Sequence, residues 1–337
     1  MRMARFTPRF WVSAVVFALV VAFAVLGPIV FGANPGKDVG GLYDPPSSTS
    51  WLGTDDLGHD VFTNLMLGTR TSLIIGLVAG LVATLIGVVV GLLAGYHGGM
   101  VEEALMGVTN VALAIPAIVV LILLSVAIDF RSIVAMAVVI AITSWPWTAR
   151  AVRAQASSVR TREHLDVARL SGARTFDILI WDVLPYLMSY ICMAFVLQVS
   201  GAILAEAGLS LLGLGPSGSV SLGIMLNWAL VGESLLNGAW WAFLPPTILL
   251  TLIAFALLML QSSLDEVFNP RLRRGRRERG AAAGAGAGAA VSLVTSGTVA
   301  AETLDVGAAQ EPVPEPGAGE RTVGSGPDRT SERSGSA

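Results

Sequence analysis

The sequence predicts an all-α integral membrane protein with six transmembrane helices, and three observations carry that reading. Hydrophobic residues make up 54% of the 337-residue chain and charged residues only 13%, against about 25% charge in soluble domains. The uncharged residues fall into runs long enough to cross a hydrocarbon core, which takes about 20 residues of helix. Finally, the arginines gather at alternate ends of those runs, as the positive-inside rule requires.

The runs cover residues 10–31, 71–96, 104–128, a shorter 132–149, 183–205, and a sixth within 234–264. The first is preceded by Arg2, Arg5 and Arg9, and Ala22, Phe23 and Ala24 mimic a signal-peptide cleavage site. Its 22 apolar residues exceed the roughly 7–15 of a secretory signal, which favours an uncleaved anchor. With the N-terminus inside, 15 basic residues fall on the cytoplasmic side, in residues 1–9, in 150–182 and just after the sixth run. Only Lys37, Arg70 and Arg131, three in all, fall outside. Both termini are then cytoplasmic in a multi-pass plasma-membrane protein.

The organisation that follows is a cytoplasmic N-terminus (1–9), a first helix (10–31), an extracytoplasmic loop (32–70), a membrane-embedded core (71–274) and a cytoplasmic tail (275–337). The tail is Ala/Gly-rich, then rich in Glu, Pro and Ser, a composition that predicts disorder. In the outer loop, Leu57, Val61, Leu65 and Met66 recur at helical spacing. They predict a short amphipathic helix, lying either on the membrane surface or on the protein's own loops.

Within the second run, Gly76, Gly80, Thr84, Gly87, Gly91 and Gly95 share one helical face. Small residues let backbones approach closely where burial from water cannot drive association, so this face is a packing seam, within the subunit or between copies. Pro116, Pro146, Pro245 and Pro246 interrupt the third, fourth and sixth runs. Gln198 in the fifth run and Glu206 at its outer end are polar groups readable as parts of a path or gate or as structural hydrogen-bonding groups.

Several classes of function are excluded. A net charge of −3 and a pI of about 5.7 do not suit nucleic-acid binding. Cys192 is the only cysteine, and the three histidines (His59, His97, His164) are scattered, so no zinc or dithiol site is expected. Lys37 is the only lysine and is followed by Asp38, which rules out a Walker A loop. An intramembrane protease would need a nucleophile and base, or paired aspartates, within the spans. The runs carry neither.

The 33 residues from Arg150 to Asp182 are too polar for lipid and too long for a simple connection. Residues 151–170 lack Gly and Pro and are expected to be helical, with Gly172 ending the helix. Leu165, Ala168 and Gly172 share one face. Such a helix suits a groove on a partner or, through its arginines, the lipid headgroups.

Here the sequence resembles a known family. An acid, two small residues, three variable ones, a glycine, and Leu-Pro twelve residues later form the EAA loop of ABC importer permeases. Asp166, Val167, Ala168, Gly172, Leu184 and Pro185 hold those places, with Asp166 where Glu is usual and Val167 where Ala is usual. The stretch from Trp51 to Leu73 and the stretch from Glu206 to Gly215 are similar to two signatures of the C-type permeases of dipeptide, oligopeptide and nickel importers. His59 and Asn64 stand where arginine is common in them.

The resemblance implies the type I ABC importer permease fold, with a cytoplasmic coupling helix in the EAA loop. It implies partners too: a homologous B-type permease, two ATPase subunits that bind ATP and Mg, and an extracytoplasmic substrate-binding protein. The cargo it implies is a di- or oligopeptide, with nickel or glutathione as the alternative within the family and a secondary transporter as the rival outside it. No catalytic residue, cofactor or metal site belongs to this chain on that reading.

The orientation is testable. In a Cys192→Ser background, Asp44→Cys and Ser217→Cys should react with an impermeant thiol reagent added to whole cells, and Ser157→Cys and Gly275→Cys should not. Labelling at position 157 in intact cells would reverse the assigned topology.

Overall fold

Helices dominate because backbone polar groups in a bilayer have no water to bond and must satisfy one another within the segment. The computed structural model describes residues 8–32, 39–128 and 132–268. Among these, every regular element is helical, and extended pairing is limited to one isolated bridge between Thr54 and Asp60. In order come α1 (Pro8–Val30), α2 (Val61–His97), α3 (Gly99–Ala114), α4 (Ala117–Ile128), α5 (Ile133–Arg160) and α6 (Glu163–Leu170). A short turn, α7 (Thr175–Asp177), leads through a π-helical turn (Ile178–Val183) into α8 (Leu184–Leu211). Then follow α9 (Leu222–Val231) and α10 (Trp240–Phe268).

Five helical segments are long and apolar enough to cross a membrane: α1, α2, α5, the composite Thr175–Leu211, and α10. The pair α3 and α4, bent by 81° between its halves, brings the number to six when counted as one span. The bend has a local cause. Pro116 disfavours helical geometry at the residue before it, and Ile115 is accordingly extended at φ −90°, ψ 126°. The other prolines do not break their spans: Pro146 lies inside continuous α5, and Pro245 and Pro246 inside α10.

The centre of the bundle is α2, and its glycine face determines what surrounds it. A methyl group placed on Gly80 would lie 2.8 Å from the Val199 nitrogen and 2.9 Å from its Cα, and one on Gly76 would collide with the Ile203 side chain. Lower down, a methyl on Gly87 would meet Thr148 Cβ at 2.6 Å. One on Gly91 would meet Val152 Cβ at 2.8 Å, and one on Gly95 would meet Ala156 Cβ at 2.7 Å. Thr84, between the two groups, is buried and turns its hydroxyl back to the Gly80 carbonyl at 2.7 Å. The stripe therefore packs within the subunit, against α8 at one end and α5 at the other. Around it Ile75, Ala79, Ala83, Met136, Ile140, Ala202 and Leu209 form the central cluster. On the flank, α1 lies against α10 and α2 and buries Val20, Ala24 and Gly27.

Three boundaries differ from the sequence expectation. The short amphipathic helix of the 32–70 loop is not a separate element. Asp60 caps α2, accepting from the Thr63 N–H at 3.0 Å, and α2 begins at Val61, so Val61, Leu65 and Met66 are buried in the bundle while Leu57 stays exposed before the helix. The single helix expected over 151–170 is two. The stretch to Arg160 extends α5, and the chain turns at Thr161 and Arg162 before α6, which brings Leu165 over the core. The last helix starts at Trp240, inside the expected 234–264, and continues to Phe268, past its end. The tail expected to be disordered, 275–337, lies outside the described residues.

The bundle has two distinct ends. At one, the Tyr43 hydroxyl donates to the Gly232 carbonyl at 2.5 Å and Trp241 Nε1 to the Thr54 carbonyl at 3.1 Å. At the other, Arg153 pairs with Glu102 and Arg150 donates to Asn110 Oδ1 at 2.7 Å, holding α3 to α5 beside α6.

The glycine face gives a stability prediction. Gly91→Ala forces a methyl into the α5 contact and should cost about 1–3 kcal/mol, the usual range for overpacking. Gly201→Ala, where nothing lies within 4 Å, should be neutral or gain about 0.5–1 kcal/mol by relieving a helical glycine. Thermal unfolding of the detergent-purified chain separates the two; equal melting temperatures would show that the α2–α5 contact is not close-packed.

Candidate functional site

The segment from α5 to α8 builds an exposed helix on a rigid seat. Leu165 of α6 is 0% exposed and joins Tyr96, Val152, Val159, Ile178, Val183 and Leu187 in one cluster, with Ala168 packed at its edge. Arg169 lies over the Tyr96 ring at 5.4 Å and pairs with Asp166 at 2.9 Å. Arg162 lies over the Tyr186 ring at 5.1 Å, and His164 stacks on the same ring with centroids 5.1 Å apart. These contacts tie α6 to α2 and to the start of α8.

The helix then stops in a Schellman arrangement. The Ala173 N–H bonds the Ala168 carbonyl at 3.2 Å and the Gly172 N–H bonds the Arg169 carbonyl at 3.1 Å. Gly172 has φ +80°, a left-handed conformation that glycine adopts without a Cβ penalty. Space around it is open, so the backbone requirement alone accounts for glycine here. Downstream, Leu184 and Pro185 mark where the π turn ends: the Leu184 N–H reaches back five residues to the Leu179 carbonyl. Proline lacks a donor and crowds the preceding turn; the wider π turn ahead of it relieves that crowding.

The faces of α6 differ from the sequence expectation. Leu165 and Ala168, expected to face a partner's groove, turn inward to the chain's own cluster. The outward residues are Val167, 63% exposed, and Leu170, 89% exposed, with Asp166 and Gly172 beside them. The inward turn has a physical cause: the break at Thr161 reverses the chain, and burying Leu165 covers the joint between α5 and the π turn. A break inside a Gly- and Pro-free stretch leaves no mark in periodicity.

Gln198 and Glu206, considered as path or gate groups, are both taken up by helix-to-helix bonds. Gln198 Nε2 donates to the Ser144 carbonyl at 2.9 Å and to Thr148 Oγ1 at 2.7 Å, stitching α8 to α5. Glu206 is 0% exposed. It accepts from Ser72 Oγ at 2.8 Å and Ser210 Oγ at 2.7 Å, and Ser72 Oγ accepts in turn from the Leu222 N–H at 3.2 Å. Three helices, α2, α8 and α9, meet at this carboxylate. Buried polar groups need such partners, and both side chains find them on neighbouring helices.

The loop ahead of α2 is organised by a residue the sequence did not single out for a role. Asp55 accepts from the backbone N–H groups of Leu57 and His59 at 3.0 and 2.8 Å and from Asn64 Nδ2 at 3.1 Å, and lies 3.5 Å from His59 Nδ1. Burial, and then the Asp55 charge, push the neighbouring Asp56 carboxyl above its usual range. The sequence cue was the Asp-Asp-Leu-Gly-His-Asp run itself, a turn-forming string before a helix.

Comparison with known proteins accords with this architecture. Residues 87–274 match the family described as "Binding-protein-dependent transport system inner membrane component". The chain is 37% identical to the dipeptide transport system permease protein DppC of Bacillus subtilis over 68% of this chain and 71% of that protein. It is 30% identical to the oligopeptide transport system permease protein OppC of the same organism, over 78% and 86%. A Mycobacterium bovis oligopeptide permease, OppC, is 30% identical over 79% and 90%. The matched region holds the glycine seam from Gly87 onward, the α6 platform and Glu206 with Ser210, and the chain belongs to the family of binding-protein-dependent transport inner membrane components.

Proposed function

We propose that this chain is one permease subunit of an ATP-driven peptide importer and that α6 is its coupling helix. It pairs with a homologous B-type permease, forms half of the translocation path for di- or oligopeptides delivered by an external binding protein, and receives the ATPase stroke on the cytoplasmic side. The end carrying α6 is cytoplasmic on the arginine count, and ATP with its Mg belongs to two partner ATPase subunits. Support for the cargo comes from the named functions of the relatives, dipeptide and oligopeptide transport.

The observation that carries the coupling role is the two-sidedness of α6. Its inner face is fixed by Leu165, Arg162 and Arg169 to α2, α5 and α8, so a push on α6 moves those spans as a body. Its outer face presents Val167 and Leu170 uncovered, in a segment too polar to enter lipid. Exposed aliphatic residues of this kind mark a protein contact. Rigid-body displacement through a packed interface is a standard way to transmit such a stroke. Asp166 caps the arrangement through Arg169, and Gly172 supplies the turn that returns the chain to the bundle.

The test uses co-purification of the ATPase subunits and substrate-stimulated hydrolysis in proteoliposomes. Leu170→Asp should leave insertion and pairing with the partner permease intact yet lower ATPase attachment by about 10-fold or more, the loss typical of an interface anchor. Leu165→Ala should retain attachment but loosen the seat, so that hydrolysis proceeds with reduced uptake. Wild-type attachment and coupling in Leu170→Asp would remove α6 from the coupling role.

A further inference from the structure

At the end of the bundle away from α6, the first turns of α2, the loop after α8, and α9 enclose an open cavity of about 830 Å³. That falls within the roughly 300–1,000 Å³ of small-molecule sites. We infer that this cavity is a receiving site for the substrate peptide and that Arg70 binds the peptide's C-terminal carboxylate there. The inference rests on the peptide reading above and goes beyond it by assigning a site and the chemical group it recognises.

The electrostatics are one-sided. The lining contains no aspartate or glutamate, and its ionisable side chains are His59 and Arg70. His59 is directed to Asp55, which lies outside the lining. Among the described residues no carboxylate pairs with Arg70, an exposed side chain that lines the cavity. A guanidinium offers a planar fork of donors that matches a carboxylate in bidentate geometry and is always charged. The rest of the lining suits the remainder of a peptide. Asn227 spends its Nδ2 on the Leu211 carbonyl at 2.9 Å, leaving Oδ1 to accept from a peptide N–H. Ile74, Ile224 and Trp228 offer apolar wall to a side chain.

The walls are also held in place. Ser210 in the lining donates to Glu206, and the same carboxylate accepts from Ser72, which fixes the first residue of α9 through the Leu222 N–H. Glu206 is thus a positioning residue for the cavity: it sets α9, and with it Asn227 and Trp228, opposite Arg70.

The experiment is uptake by the complete importer in proteoliposomes, with the binding protein saturated in turn by a dipeptide and by the same dipeptide as its C-terminal amide. Arg70→Gln should slow uptake of the free acid by about 30-fold or more, the loss expected when one partner of a charge-assisted pair is truncated, and slow the amide by less than about threefold. Arg70→Lys should recover part of the free-acid rate. Equal slowing of both peptides, or no slowing of either, would overturn the assignment. So would a loss that tracks weaker sedimentation of the unloaded binding protein with the vesicles, because Arg70 would then contact that protein. If the wild-type importer carries neither these dipeptides nor an oligopeptide run alongside, the peptide reading falls and this inference with it; if it carries them and Arg70→Gln does too at wild-type rates, only the Arg70 site falls.

Discussion

The close approach of α2 to its neighbours is the constraint on which the rest of this bundle depends. In lipid, apolar side chains gain little by leaving the surrounding hydrocarbon, so helices associate through van der Waals packing and a few hydrogen bonds. Gly76 and Gly80 bring α2 against the backbone of α8, and Gly87, Gly91 and Gly95 bring it against α5. One residue type on one face thereby sets the spacing of three spans. It also places Ser72, one turn above Gly76, within reach of Glu206 on α8. A larger side chain anywhere in the stripe would hold the helices apart and leave the polar groups between them without partners.

Polar contacts are few and sit where helices must be held in register rather than merely adjacent. Glu206 with Ser72 and Ser210 fixes α9 to α2 and α8. Gln198 with Ser144 and Thr148 fixes α8 to α5, and Arg150 and Arg153 fix α5 to α3. In a low-dielectric interior each such bond is costly to leave unmade. The same economy explains the two faces of α6: Leu165 and the two arginine–tyrosine contacts anchor it inward, which leaves Val167 and Leu170 exposed. Packed side chains join α6 to α2 and α8, and α2 in turn forms one wall of the cavity around Arg70.

Much of this was legible in the sequence, and some of it was not. Hydropathy located the runs that became spans, and the Ile115–Pro116 step foretold the bend between α3 and α4. Gly172 was readable as a helix stop because a positive φ at a C-cap favours glycine. Helix periodicity misled where a helix continued past the membrane or broke without a breaker. Leu57, Val61, Leu65 and Met66 have an amphipathic spacing that is equally the spacing of a buried helix start. Residues 151–170 carry no Gly or Pro, yet the chain turns at Thr161 because Leu165 has a core to reach. The short α9 went unread because ten residues are too few to register as a span, although Ser221 before an apolar run is an ordinary N-cap signal.

By itself the sequence determined that the chain lives in a membrane as an all-helical bundle, which face of α2 is the packing seam, and where the family motifs fall. These are properties of composition and local spacing, which lipid and backbone hydrogen bonding translate directly into helices. Tertiary structure alone decided that the seam closes on α5 and α8 of the same chain and that α6 turns Ala168 inward and Leu170 outward. It also decided that Glu206 and Gln198 are bound up in packing while Arg70 is left facing a cavity. Each of those outcomes depends on a contact between residues far apart in the chain, 134 positions for Ser72 and Glu206, and no local pattern encodes which partner a polar or small residue will meet.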